Sequence, residues 1–296
     1  MTEEKKDWVP PAIIEDLFAA TGGNQFAAIN SPKSGARDDK EVPTGSAPIQ
    51  LYSLGTPNGI KVSILLEELE ELGLLSYDAH TINIGKGEQF SAGFTRINPN
   101  GKIPCAVDLE GPGGEPIHLF ESAGICLYFT EKYDRFLPKD FRLKTEVMNW
   151  VFWQMGGQGP FCGQFGHFFV YAPGDKFETR EYGTARYGME VQRLMDVMDK
   201  HLHGKSYLVG EEYTLADIIC YPWVRQIRIG YPHKSGIKAN EFLSIDKYSN
   251  LLAWADRIAA RPAVVRGVQV NGWSDANSPK PWLVAASSPT QGGDIK

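Results

Sequence analysis

The stretch Ile97–Val107 constrains the fold more than any other part of the chain, because two prolines bracket a turn and an apolar segment follows. Pro99-Asn100-Gly101 is typical of a tight turn. Pro104 has no N–H for a strand ladder, so it fits where the backbone bends or takes a cis bond. A cis bond there would leave the backbone groups of Ile103 free for a ligand. This stretch alone fits an ordinary surface turn equally well, so the rest of the chain decides.

Composition bounds the class of protein. A chain of 296 residues predicts two domains of ordinary size. The net charge of -6 argues against a nucleic-acid binder. The start lacks an apolar core, and no run approaches the ~18 residues of a membrane span. The cysteines show neither Cys-x-x-Cys nor metal-ligand spacing, which predicts reduced thiols, no metal and a cytoplasmic location. They are Cys105, Cys126, Cys162 and Cys220.

Residues 47–138 alternate between strand and helix patterns. Alternating runs predict strands near residues 49–52, 77–84, 105–109 and 117–120. A helix after Thr56 carries apolar residues at helical spacing. Its charged residues are expected on the exposed face: Lys61, Glu67, Glu68, Glu70 and Glu71. A short irregular helix over 89–97 and a helix opening at Glu121-Ser122 complete the order of a thioredoxin-like domain.

From residue 139 onward, helical spacing replaces strand alternation. Thr214 with Asp217 forms a near capping box ahead of an apolar helix. A last amphipathic helix over 251–258 is expected to stop at Arg261-Pro262. The glycine- and aromatic-rich run Gly156–Tyr171 predicts a loop that walls a pocket. We therefore divide the chain into an extension (1–46), a thioredoxin-like domain (47–138), a helical domain (139–273) and a poorly ordered tail (274–296).

Three signals coincide in one order: Thr56-Pro57-Asn58-Gly59, Asn100-Gly101-Lys102-Ile103-Pro104, and Glu121-Ser122 at a helix start. Together with Gly210–Asp217 and Arg261–Val264, this order resembles the cytosolic glutathione transferases over residues 47 to about 270. The segments similar to the Nu class, relatives of the yeast prion nitrogen regulator, are Leu51–Gly59, Asn149–Gln154, Gly166–Phe168 and Phe26–Asn30.

The resemblance implies an α/β thioredoxin-like domain followed by an all-α transferase domain, in a homodimer. It implies a glutathione-dependent disulfide-bond reductase that uses glutathione as co-substrate and holds two glutathiones per subunit. Two alternatives stay open. One is a conventional transferase or peroxidase acting on electrophiles, and the other is a non-catalytic regulatory binding protein. The extension lacks the long Asn/Gln tract of a prion-like regulator.

Glutathione presents two carboxylates, an ammonium and a thiol, and the matched residues suit these groups. Ser122 at a helix N-terminus can offer its hydroxyl and N–H to the γ-glutamyl carboxylate, and Glu121 can take the ammonium. The Ile103 backbone can pair with the cysteinyl backbone as a strand would. Gln89 would reach the glycyl end, and Lys102 belongs to the same binding set. Without the resemblance, Ser122 is a plain cap and Gln89 an exposed glutamine.

Thr56 stands where catalytic transferases often carry Tyr, Ser or Cys. As structure alone, Thr56 is an N-cap with Pro57 at the first helical position. Lowering a thiol pKa by two units from about 8.5 takes about 2.7 kcal/mol. A helix dipole supplies about 0.3–1 kcal/mol, so a donor to the charged sulfur, worth about 1.5–3 kcal/mol, is also needed. The Thr56 hydroxyl and the Asn58 amide are the candidates for this catalytic role, and the sequence does not choose between them.

A second glutathione would lie against the helical domain. The resemblance implies Asn30, Gln154 and Arg186 as its contacts, with Arg186 as a carboxylate clamp. Without the resemblance, the two helical residues are solvated polar positions and Asn30 is a turn residue. The four cysteines are expected to take no part in the reaction.

Overall fold

The computed structural model describes residues 9–14, 33–172 and 177–272, with a four-stranded sheet at its N-terminal end. The strands are β1 (Ile49–Ser53), β2 (Tyr77–Thr81), β3 (Cys105–Asp108) and β4 (Ile117–Phe120), in the order β2-β1-β3-β4. β1 pairs parallel with β2 and antiparallel with β3, which pairs antiparallel with β4. This mixed sheet confirms the predicted thioredoxin-like domain. The second strand is shorter than expected, because a 3₁₀ turn occupies Ile84–Lys86.

Three helices belong to this domain: α1 (Pro57–Glu71), α2 (Ala92–Ile97) and α3 (Ser122–Tyr133). Thr56 caps α1, and its side chain accepts a hydrogen bond from the Gly59 N–H at 3.4 Å. The irregular helix expected over 89–97 divides into a 3₁₀ turn at Glu88–Phe90 and α2, because Ser91 starts a new helix as its N-cap.

The described residues from 139 onward are mainly helical, as predicted. The helices are α4 (Phe141–Trp153), α5 (Gly159–Gly166), α6 (Phe177–His201), α7 (Leu215–Ile229), α8 (Ala239–Phe242), α9 (Ser249–Ala259) and α10 (Pro262–Gly267). The capping box at α7 is present, with the Thr214 N–H donating to Asp217 at 3.0 Å. The expectation that α9 is the last helix was wrong. Pro262 opens α10 at its first position, where a missing N–H costs nothing.

The run Gly156–Tyr171 is helical rather than a loop, which corrects the sequence expectation. Two π-helical turns, Gln154–Gln158 and His167–Tyr171, flank α5 and form one continuous helical segment with it. A Cβ on Gly166 would lie 2.4 Å from the Tyr231 ring. Gly166 therefore does not form a turn. Because it has no side chain, another segment can pack closely against this helical segment.

The charged residues of α1 correct a second expectation. Lys61, Glu67 and Glu68 are 0, 1 and 5 % exposed. Glu67 accepts hydrogen bonds from Arg266 at 2.8 Å and from Tyr77 at 2.5 Å. The two carboxylate oxygens of Glu68 accept hydrogen bonds from Nε and Nη2 of Arg261, at 2.6 and 2.7 Å. The sequence pattern assumed a free outer face, whereas the helical domain covers that face and supplies the counter-charges.

Part of the extension packs on the thioredoxin-like domain. The Ala92 N–H donates to the Asp38 carbonyl at 3.0 Å, and the Tyr52 hydroxyl donates to the Pro43 carbonyl at 2.7 Å. Asn30 and the tail from residue 274 lie outside the described residues. In the described part of the chain, every helix is too short or too polar to span a bilayer.

Candidate active site

A cavity of ≈ 230 Å³ opens where the loop before β3 meets the starts of α1 and α3. Six of the predicted residues meet there: Asn58, Lys102, Ile103, Pro104, Glu121 and Ser122. Three further residues complete the wall: Asn98, Asn100 and Met155. The thioredoxin-like domain thus supplies most of the wall, and the helical domain contributes the methionine.

The loop before β3 is held by Asn98, which the sequence analysis missed. Its side-chain nitrogen donates to the Lys102 carbonyl at 2.5 Å, and its oxygen accepts from the Asn100 N–H at 2.9 Å. The peptide bond between Ile103 and Pro104 is cis. Among the described residues, the Ile103 N–H and C=O have no backbone partner, so both can pair with an extended ligand. The signal for Asn98 was its place at the head of the Asn-Pro-Asn-Gly turn.

Glu121 and Ser122 join β4 to α3. Glu121 has φ 65° and ψ 118°, a conformation that residues with a Cβ rarely adopt. Such backbone strain concentrates at functional sites, where surrounding structure holds the residue in place. The Glu121 side chain is exposed, whereas Ser122 is buried at the N-terminus of α3. An acceptor for an ammonium group therefore lies next to donors for an anion.

Lys61 lies directly behind Ser122, and the sequence analysis missed it. Its Nζ is 3.3 Å from the Ser122 Oγ, 2.6 Å from the Gln154 Oε1 and 3.5 Å from the Met155 sulfur. Burial lowers the pKa of Lys61 to about 8. The sequence signal was its position one helical turn after Asn58, on the same face of α1.

Asn58 is oriented by the helical domain. The Trp223 indole N–H donates to the Asn58 Oδ1 at 3.1 Å. Because an indole can only donate, this contact assigns the oxygen of the amide to Trp223 and leaves the NH₂ group for another acceptor. Thr56 is half-buried beside it, with its oxygen accepting from Gly59, but Thr56 and Pro57 do not line the cavity. Trp223 was not predicted, because nothing local links it to α1.

Three other predicted residues within the described ranges, Gln89, Gln154 and Arg186, lie apart from the cavity wall. Gln89 is fully buried, and its Oε1 has no partner among the described residues. Gln154 is fully buried beneath Lys61, and its amide nitrogen likewise lacks a partner there. Arg186 is exposed on α6. Burial and Arg37 together lower the pKa of Lys102 in the cavity wall.

All four cysteines are buried free thiols. Burial raises the pKa of each thiol, that of Cys126 to about 12. A nucleophilic cysteine needs the opposite shift and access to substrate. The described residues contain no group of side chains that could hold a metal ion.

A thioredoxin-like domain with this cavity, followed by a helical domain, defines a transferase of the glutathione type. The model of the glutathione S-transferase C-terminal domain matches residues 166–262. The disulfide-bond oxidoreductase YghU of Escherichia coli is 46% identical over 253 residues, 85% of this chain and 84% of the relative. The chain belongs to the glutathione S-transferase family.

Solved structures agree with this assignment. A glutathione transferase YghU from Streptococcus pneumoniae, complexed with glutathione, is 44% identical, with a TM-score of 0.81 and coverage of 89% of this chain and 98% of that chain. A glutathione transferase from Burkholderia graminis, with two glutathione molecules bound per subunit, is 39% identical, with a TM-score of 0.69 and coverage of 75% and 88%.

Proposed function

We propose that this protein is a glutathione-dependent disulfide-bond reductase of the Nu class. One observation carries the proposal: the cavity joins anion donors to an oriented Asn58 amide, while all four protein thiols are buried. The reactive sulfur then comes from the ligand. The oxidoreductase name of the Escherichia coli relative supports this reaction class.

The residues of the cavity wall support the following pose for glutathione. Ser122 and the first N–H groups of α3 take the γ-glutamyl carboxylate, and Glu121 takes the ammonium. The Ile103 backbone pairs with the cysteinyl unit, ahead of Pro104. Lys102 takes the glycyl carboxylate, and Gln89 supports that end from the buried turn beneath. The cysteinyl sulfur then points toward α1.

At α1 two donors are proposed for the sulfur: Asn58 in the cavity wall, and Thr56 two residues before it at the start of the helix. The NH₂ group of Asn58 donates to the thiolate, because Trp223 occupies the amide oxygen. Thr56 accepts from Gly59 through its oxygen and keeps its own proton to donate. Together with the N-terminus of α1, which starts at Pro57, these donors favour the anion and lower the thiol pKa.

The reaction is two thiol-disulfide exchanges. In the first, the glutathione thiolate attacks one sulfur of a small disulfide, the sulfur–sulfur bond breaks, and the other sulfur leaves as a thiolate that takes a proton from solvent. In the second, a second glutathione thiolate attacks the mixed disulfide. The products are oxidised glutathione and two substrate thiols. Holding both glutathiones in one pocket replaces random encounters by local ones.

The second glutathione lies against the helical domain, with Asn30, Gln154 and Arg186 as its proposed contacts. The Burkholderia graminis structure with two glutathiones per subunit supports this number. The amide nitrogen of Gln154, which has no partner among the described residues, is the kind of buried donor that a ligand satisfies. Arg186 would clamp a carboxylate from α6.

We further propose a cytoplasmic homodimer. Unbridged, buried cysteines suit a reducing compartment. Phe120 on the edge strand is 44 % exposed, and Phe141 and Phe152 on α4 are 85 and 68 % exposed, which suits a partner surface. Light scattering at micromolar concentration is expected to give twice the chain mass of 32.8 kDa.

The test is a variant with all four cysteines replaced by alanine or serine. Reduction of a small disulfide by glutathione, followed through NADPH and glutathione reductase, is expected to survive. Thr56→Ala is expected to lose about 10- to 100-fold if its bond to the charged sulfur is worth about 1.5–3 kcal/mol. Conjugation of an aromatic halide should be far slower. Lost reduction in a folded cysteine-free protein would replace this mechanism by a cysteine nucleophile.

A further inference from the structure

Lys61 is a fully buried cation between the two domains, beyond the contacts assigned above to glutathione. Its Nζ contacts Gln154 at 2.6 Å on the helical side and Ser122 at 3.3 Å on the cavity side. An ammonium group has three protons to donate and no lone pair to accept with. The Ser122 oxygen must therefore accept from Lys61, and the serine proton must point elsewhere.

The serine proton can then be donated toward the cavity wall. In the described part of the chain its acceptor is the sulfur of Met155 at 3.8 Å, and Met155 lines the cavity. A thioether is a weak acceptor, and an incoming carboxylate oxygen is a much better one. The buried ammonium group of Lys61 thus leaves the Ser122 hydroxyl able to donate into the cavity, where the ligand binds.

We propose that Lys61 is a positioning residue for the γ-glutamyl carboxylate: its ammonium fixes the direction of the Ser122 hydroxyl and places a positive charge behind the bound anion. This inference rests on the proposed glutathione function. Lys61 does not line the cavity, so it acts through Ser122 and not by direct contact.

The charge of Lys61 is the quantity that matters. The titratable groups facing it are Cys126 on α3, Cys220 on α7 and Glu121 before α3. Burial raises the pKa of both thiols, so they stay neutral and Glu121 is the facing anion. A neutral lysine could accept the serine proton instead, which would turn that donor away from the ligand.

The pH dependence follows with a definite sign. Burial lowers the pKa of Lys61 to about 8, so the free protein loses this charge just above neutral pH. A bound carboxylate favours the ammonium form and raises that pKa. Binding therefore takes up a fraction of a proton near pH 8, and the affinity falls as the pH rises above that value.

The experiment uses S-methylglutathione, whose blocked thiol removes the sulfur titration. Its binding is measured by calorimetry between about pH 6.5 and about pH 9, in two buffers with different ionisation enthalpies, to count protons. The proteins are the full chain, Lys61→Met, and the control Lys139→Met, a surface lysine paired with Asp134 at 2.6 Å. Lys61→Gln is a second variant in case the methionine protein does not fold.

The full chain and the Lys139 control are expected to lose affinity with rising pH. The Lys61 variants should bind about 10-fold more weakly at pH 7, follow a flatter profile and lack the proton uptake near pH 8. The ammonium group of the ligand titrates in every protein, so the difference between proteins isolates Lys61. If the full chain and the Lys61 variants bind with equal affinity and equal proton uptake, this inference is overturned while the proposed function stands. Absence of binding to the full chain refutes the proposed function and this inference with it.

Discussion

Replacing Asn58 by alanine is expected to raise the pKa of the bound glutathione thiol. The Asn58 amide oxygen is held by Trp223 at 3.1 Å, which leaves the NH₂ group to donate to the sulfur. A hydrogen bond to a charged group contributes about 1.5–3 kcal/mol. Losing it shifts the thiol pKa up by about 1–2 units, since one unit corresponds to about 1.36 kcal/mol. At a pH below the thiol pKa of both proteins, the rate of disulfide reduction falls by about 10- to 100-fold.

Two measurements check this expectation. The near-ultraviolet absorbance of the thiolate, followed against pH with saturating glutathione, gives the thiol pKa in each protein. Steady-state reduction of a small disulfide gives the rate over the same pH range. Because only the thiolate reacts, the rising limb of the rate profile should move to higher pH by the same shift. A thiol pKa that stays the same in Asn58→Ala would refute the reasoning and leave Thr56 as the donor.

Trp223→Phe separates orientation from donation. The phenyl ring keeps much of the packing, but the indole N–H that holds the Asn58 oxygen is lost. A neutral hydrogen bond is worth about 0.5–1.5 kcal/mol, so the rate should fall about 2- to 10-fold. The double variant should be no slower than Asn58→Ala alone, because both changes act through one amide. Additive losses would show that Trp223 acts independently of Asn58.

Three further predictions concern binding and stability. Ser122→Ala is expected to weaken glutathione binding by about 1–3 kcal/mol in calorimetry, and an unchanged affinity would remove Ser122 from the carboxylate site. Gly166→Ala should cost about 1–3 kcal/mol of unfolding free energy, whereas Gly156→Ala, which meets nothing within 4 Å, should be neutral or stabilising. Equal midpoints in denaturant would contradict this pair. Asp217→Ala should lower the free energy of unfolding by about 3 kcal/mol or more, because it leaves buried donors unpaired. The exposed control, Asp246→Ala, should change that free energy little. A small loss in both variants would show that the capping box contributes little to stability.

Sequence signals were enough for the sheet and for six of the nine residues that line the cavity. The turn at residues 98–104 and the start of α3 at Glu121-Ser122 each depend on neighbouring residues in the sequence. The turn and capping preferences of those residues act over a few positions. The turn and the helix start were therefore predictable as structure, whereas their expected roles in glutathione binding came from the resemblance to the glutathione transferases. The positions of the four strands along the chain followed from their alternating patterns.

The failures have a common physical origin in contacts between distant segments. Lys61, Glu67 and Glu68 were expected in solvent because a helix considered alone turns its charges outward. Arg261 and Arg266, about 200 positions later, reverse that preference by pairing with the two glutamates. The glycines of Gly156–Tyr171 suggested a loop because glycine favours turns, whereas Tyr231 requires a surface without a side chain at Gly166. Trp223 was missed for the same reason, since its partner Asn58 lies in the other domain.

The burial of α1 also determines how the protein unfolds. The Ser63 hydroxyl donates to the Gly267 carbonyl at 2.7 Å, and a Cβ on Gly267 would lie 2.7 Å from the Ile64 Cα, so α10 packs backbone to backbone on α1. Since α1 lies in one buried cluster with residues of both domains, loss of either domain would expose α1, and heat or denaturant should produce a single cooperative transition. A ligand that binds at Asn58, in the first turn of this shared helix, should therefore protect the far end of the helical domain from amide exchange as well as its own pocket.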